Sequence, residues 1–283
     1  MPFVERQGVR LHYDESGRGY PLLFVHEFGS DAREWEQQVR ALSRHYRCIT
    51  FNARGYPPSD VPADPDQYGW EHARDDIGTV LDGLAIEKAH LVGLSMGAYA
   101  VLTFGLRYPD RVSALVVAGC GSGAPPSLRD AFIRDSQNNA HRFIEEGSAA
   151  VAETMGHSPT RIQLKHKDPR GWQEFMAHLR LHSAEGSSHT MARYQAGRPS
   201  LWEFEAELQR LDLPVLLAIG DEDEPCIEAN LYLKRQIPNA GLWIAPNTGH
   251  AINLEEPAAF NRAVEDFLAA VERHSWRRGF GAA

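Results

Sequence analysis

Apolar strand-like runs, set apart by stretches of helical periodicity, decide most of what this chain can fold into. Pro21–Val25 is a continuous apolar run, as expected of a strand buried on both faces, and His90–Leu94, Val112–Ala118 and Pro214–Ile219 read as strands as well. Arg47–Phe51 and Ala240–Ile244 read as two further strands. Between them, Trp35, Val39 and Leu42, and then Trp70, Ala73, Ile77, Val80, Leu81 and Leu84, recur at the spacing of one helix face. Met96 to Arg107 reads as an apolar helix ended by Pro109, and Phe260, Val264, Phe267, Leu268 and Val271 form the stripe of a last helix. Phe3–Glu15 alternates around Gln7-Gly8, the pattern of an antiparallel hairpin. The succession predicts an α/β fold: a mostly parallel sheet with helices on both faces.

One interval breaks the succession. From about residue 120 to 210, after Gly119, Gly121, Gly123, Pro125 and Pro126, only helical patterns occur, among them Trp172, Phe175, Met176 and Leu179. The expected organisation is a core of residues 1–120 and 212–283 with a helical cap, or lid, at 121–211. An insertion between two strands of a parallel sheet sits over their C-terminal edge, where such sheets bind ligands. The plainer reading is decoration without a role.

The charge balance narrows the partners. Lys and Arg number 29 against 38 Asp and Glu, a net charge of −9, which opposes general attraction to nucleic acid or an anionic membrane. No run approaches the roughly 18 apolar residues of a membrane span, and the N-terminus lacks the basic-then-apolar layout of a signal peptide. Cys48, Cys120 and Cys226 are odd in number and widely spaced, as for reduced thiols. A cytoplasmic protein acting on a small molecule is expected.

The strongest local signal is Gly93-Leu94-Ser95-Met96-Gly97, placed between a predicted strand and a predicted helix. The glycines permit a sharp turn and close approach of neighbours, leaving the Ser95 hydroxyl exposed at the tip. The following helix aims free N–H groups at that point, favouring an anion formed there. Alone, the pentapeptide also fits a strand–helix turn with a capping serine.

Around this turn the chain resembles the α/β-hydrolase fold family, over about residues 3–120 and 212–272 and weakly in between. The resemblance implies an eight-stranded, mostly parallel sheet and a triad in the order serine, acid, histidine. Ser95 matches the nucleophile. In Gly220-Asp221-Glu222-Asp223-Glu224, Asp223 stands at the place of the acid, with Asp221 the competing register. In Asn247-Thr248-Gly249-His250, His250 matches the histidine. The three types belong together because a hydroxyl needs a base to take its proton. Histidine can accept and return that proton near neutrality, and a carboxylate fixes the ring's tautomer.

His26-Glu27-Phe28-Gly29 resembles the family's His-Gly-x-Gly-like loop, which implies the backbone N–H groups of Phe28 and Met96 as oxyanion donors. Glu27 stands where a glycine is common. Its side chain either turns into a hydrogen-bonded pocket or touches substrate, and Glu27, Trp172 and Met176 are candidate substrate contacts. Asn52 to Ser59 resembles an Asp-x-Arg-Gly-x-Gly loop with Asn and Pro at two positions, and reads as structural. His178 and His182 have metal-like spacing but no third ligand. No nucleotide-binding glycine motif occurs, so neither metal nor cofactor is expected.

The leading expectation is a serine hydrolase cleaving a carboxylic ester through an acyl-enzyme. The alternative is carbon–carbon hydrolysis of ring-cleavage products, or enol-lactone opening, on the same triad; the residues after His250 lack the Trp of many carbon–carbon hydrolases. A non-catalytic ligand receptor of this fold is the third reading.

Overall fold

A computed structural model describes residues 1–276; residues 277–283, the end of the expected core segment, lie outside it. The sheet has eight strands in the order β1-β2-β4-β3-β5-β6-β7-β8. They are β1 (Phe3–Arg6), β2 (Val9–Ser16), β3 (Tyr20–Val25), β4 (Tyr46–Phe51), β5 (Ala89–Leu94), β6 (Val112–Ala118), β7 (Val215–Gly220) and β8 (Ala240–Ala245). β1–β2 and β2–β4 pair antiparallel, and the remaining neighbours pair parallel. Gln7 and Gly8 both hold positive φ, the two-residue turn whose twist suits a hairpin.

The continuous apolar runs are continuous because both faces of the sheet are covered. Leu23, Leu91, Leu115 and Leu217 point to one face, against α2 (Trp70–Gly83), α3 (Met96–Arg107) and the later α10 (Glu224–Gln236). Leu22, Val92, Val116 and Leu216 point to the other, against α1 (Glu36–Leu42) and α12 (Pro257–Glu272). The short α11 (Ile252–Glu255) leads into α12.

Between β6 and β7 the chain forms only helices: α4 (Arg129–Glu146), α5 (Ser148–Gly156), α6 (Ile162–Lys167), α7 (Pro169–Arg180), α8 (Ala184–His189) and α9 (Glu205–Arg210). A π-helical turn, Thr190–Gln195, extends α8. Phe143 and Val151 of this insertion join the same buried cluster as Phe28 and Met96 of the sheet edge, so insertion and sheet share apolar core at the strands' C-terminal ends. Because β3 lies between β4 and β5, the loops after β3 and β5 diverge there, opening the crevice in which such sheets take ligands. No helix among the described residues is long and apolar enough to cross a membrane.

Candidate active site

β5 ends at Leu94 and α3 begins at Met96, so Ser95 alone makes the turn, at φ 54° and ψ −111°. That conformation costs a side-chain-bearing residue on the order of 1–3 kcal/mol. Its N–H donates to the Ala118 carbonyl at 2.8 Å. A methyl on Gly93 would meet the Gly97 backbone, and one on Gly97 the Val25 carbonyl in β3. The glycines are therefore required by contact.

Asp223 and His250 enter on the loops after β7 and β8, both buried. His250 Nδ1 donates to Asp223 Oδ2 at 2.8 Å, which leaves Nε2 of the neutral ring as the acceptor. Ser95, Asp223, His250, Glu27 and Phe28 line one cavity of about 240 Å³. Gly119 passes so close that a Cβ there would lie 3.3 Å from Asp223 Oδ2 and 3.4 Å from His250 Nδ1. Asp221 is exposed and instead accepts from the Thr248 N–H at 3.1 Å, closing the histidine loop. The loop is also tied to the insertion, His250 N–H donating to the Thr160 carbonyl at 2.8 Å.

The two expected oxyanion donors are held from behind. Met96 opens α3, where its N–H has no carbonyl four residues back within the helix. Tyr56 Oη donates to the Phe28 carbonyl at 3.0 Å, and Tyr194 Oη, from the insertion, to the Met96 carbonyl at 2.7 Å. His26 Nε2 accepts from the Ala53 N–H at 3.0 Å, so Nδ1 carries the proton and donates to the Glu27 carbonyl at 2.7 Å. Burial holds the His26 ring below the ordinary histidine pKa, in keeping with a neutral ring. In the Asn52–Ser59 loop, Arg54 forks onto Asp76 at 2.6 and 2.8 Å and Asn52 Nδ2 donates to the Pro57 carbonyl, all structural bonds.

Glu27 is buried and also faces the cavity. Arg161 of the insertion donates to both its oxygens, to Oε1 at 2.6 Å, and Oε2 lies 3.8 Å from His250 Nε2. Burial pushes the Glu27 pKa up, but Arg161 outweighs it and the net direction is down. For His250, burial pushes down, while Asp223 and then Glu27 outweigh it and the net direction is up. Glu34 accepts from the Glu27 N–H at 3.0 Å, and burial, with the nearby Glu27 charge, lifts it well above the carboxylate range.

Trp172 and Met176 do not reach this cavity, which corrects their placement as substrate contacts. Met176 is buried with Ala152, Leu164, Phe175 and Leu179 inside the insertion, and Trp172 donates its indole N–H to the Gly156 carbonyl at 3.0 Å. Helical spacing identifies a buried stripe, not what it is buried against. The apolar wall comes instead from Phe28, Phe132, Met155 and Met191, and Arg161, Gln195 and Arg198 add polar groups. His182 packs edge-on against the Tyr56 ring at 5.1 Å, and among the described residues it belongs to no cluster of metal donors. Asp223, Cys226 and His250 do offer donor atoms within 4.8 Å of one another. The Asp223–His250 hydrogen bond occupies two of them, and burial pushes the Cys226 thiol well up, against thiolate ligation.

A family model described as alpha/beta hydrolase fold matches residues 20–257. The chain belongs to the α/β hydrolase fold family. This α/β hydrolase is 29% identical over 265 residues to the 2-hydroxy-6-oxo-6-phenylhexa-2,4-dienoate hydrolase of Burkholderia cepacia, covering 92% of this chain and 91% of the relative. It is 29% identical over 271 residues to a 2-hydroxy-6-oxononadienedioate/2-hydroxy-6-oxononatrienedioate hydrolase of Comamonas testosteroni, with 92% and 91% covered. Among solved structures, a thermophilic esterase from Thermogutta terrifontis superposes with a TM-score of 0.84 at 25% identity, covering 95% of this chain and 98% of that one.

Proposed function

We propose that this α/β hydrolase cleaves a carbon–carbon bond beside a ketone in a small, carboxylate-bearing substrate, with Ser95, His250 and Asp223 as its triad. The observation that carries the reading is Arg198. Its side chain is 5% exposed and lines the same cavity as Ser95. It donates to the Ser122 carbonyl at 2.8 Å and lies against the Tyr99 and Phe132 rings. Among the described residues, no carboxylate pairs with it. A buried guanidinium lacking an anion is costly, and its planar fork suits a carboxylate. The two curated relatives are named for dienoate and dienedioate substrates that carry an oxo group. This support moves the preference from ester hydrolysis to the carbon–carbon alternative.

In this reading Ser95 Oγ attacks the ketone carbonyl while His250 Nε2 takes its proton. Phe28 and Met96 N–H groups hold the oxyanion. As the carbon–carbon bond breaks, its electrons pass into the conjugated acid, whose carbon accepts the proton from His250. Water, deprotonated by the same ring, then releases the acyl group from Ser95. Ester hydrolysis is the second reading, favoured by Ala251 after His250 where many carbon–carbon hydrolases carry Trp.

The test is a panel of a vinylogous 1,5-diketone acid, an enol-lactone and neutral p-nitrophenyl esters. The diketone acid is expected to give the highest kcat/KM. Arg198→Gln should raise KM for that acid about 10–100-fold, the worth of a hydrogen-bonded charge, with a far smaller change on neutral esters. Turnover of neutral esters alone, indifferent to Arg198, would return the assignment to ester hydrolysis. A protein that binds ligand yet resists labelling by a fluorophosphonate would support the receptor reading.

A further inference from the structure

His250 has a carboxylate on each side of its ring. Asp223 meets Nδ1 at 2.8 Å, and Glu27 Oε2 stands 3.8 Å from Nε2, the atom that must take the Ser95 proton. Glu27 is 1% exposed, and Arg161 grips both of its oxygens from the inserted helices. The other ionisable groups packed around the ring are accounted for. Glu255 accepts from the N–H groups of Gly249 and Ala251 on either side of His250, and burial raises its pKa. Cys226 is a buried thiol pushed well up. Glu34 stands behind Glu27 with its pKa raised by burial, and Lys167 is engaged with Thr248 and Glu256.

We propose that Glu27 is a positioning residue for proton transfer, its Arg161-held carboxylate orienting and stabilising the imidazolium that His250 becomes when Ser95 attacks. The proposal rests on the triad above, not on which bond is cleaved. Beside the neutral ring, Asp223 and Glu27 against Arg161 leave one negative charge, apart from the Arg198 guanidinium that lines the same cavity. Uptake of the Ser95 proton by His250 cancels it. The geometry divides the work between the two partners of the ion pair. Glu27 favours a proton on Nε2, while Arg161, occupying both oxygens and keeping the carboxylate ionised, stops Glu27 from capturing that proton itself. Since Glu27 belongs to the loop after β3 and Arg161 to the insertion, the arrangement exists only when the insertion is seated. A plain cap-to-core tie would use the same ion pair but would leave the ring's titration unchanged.

Loss of either partner's charge should move the ring's titration, whereas a plain tie would leave it in place, and this separates the readings. The His250 imidazole is titrated by NMR in the resting protein, its signal assigned by loss in His250→Gln, alongside the pH profile of kcat/KM. Glu27→Gln, close to isosteric and still able to bond Arg161, is expected to lower the His250 pKa and the acidic limb by about one unit, and to lower kcat about tenfold. Arg161→Met, which leaves the buried Glu27 free to take up the proton itself, is expected to move the His250 pKa and the acidic limb downward as well. If both variants lose thermal stability while the His250 titration stays in place, the pair is only a tie and the proposal is overturned. Should Arg161→Met fail to fold, the Glu27→Gln titration decides alone. Full turnover by Ser95→Ala would instead overturn the triad, a result the substrate-free titration keeps distinct.

Discussion

On the proposed triad, the ring of His250 sets the pH at which this site works. Burial alone would lower its pKa, but Asp223 and Glu27 carry it above the ordinary value near 6.5, so the neutral base comes to predominate only above that pH. The acidic limb of kcat/KM is therefore expected above that value, and a limb below it would contradict the charge arrangement. The same raised pKa adds stability that is complete below the unfolded value near 6.5 and is lost as pH rises through the folded one. Ser95→Ala and Asp223→Asn are each expected to lower kcat on the order of 10⁴-fold without unfolding the chain, checked by steady-state rates beside circular dichroism. Legibility at this scale follows distance along the chain. Ser95 was readable because its turn needs glycine neighbours two positions away on either side. Glu27 stood out as a departure, yet its partner Arg161 lies 134 residues on, and nothing local marks Arg161 or Arg198 as belonging to the cavity.

Elements were legible where burial leaves a period in the sequence. The strands of the sheet were readable to within a residue or two at their ends, since two-sided burial writes an uninterrupted apolar run. The π-helical turn Thr190–Gln195 was not, because its wider turn leaves the 3.6-residue spacing. That turn matters: Met191 and Gln195 from it line the cavity and Tyr194 holds the Met96 carbonyl. Tyr56 does the same for Phe28 from the loop after β4. Tyr194→Phe and Tyr56→Phe each delete one hydrogen bond worth about 1 kcal/mol, so each is expected to lower kcat roughly fivefold if the carbonyl anchors the oxyanion donor. An unchanged kcat with lowered thermal stability would assign the tyrosines to packing alone.

On the scale of the whole molecule, two apolar layers enclose the sheet, and the inserted helices continue one of them. The loop after β4 is pinned to that layer by the buried Arg54–Asp76 fork. Asp76→Ala leaves the guanidinium uncompensated and should cost about 3–5 kcal/mol in urea unfolding. The fold class was readable from alternation, and the insertion's place over the C-terminal edge from its position between two strands, whereas the contacts that seat it, such as His250 N–H to the Thr160 carbonyl, were not. That one backbone bond has a mechanical consequence. Lifting the roof on its histidine side would pull on the proton carrier itself, so access gained there is paired with loss of reactivity.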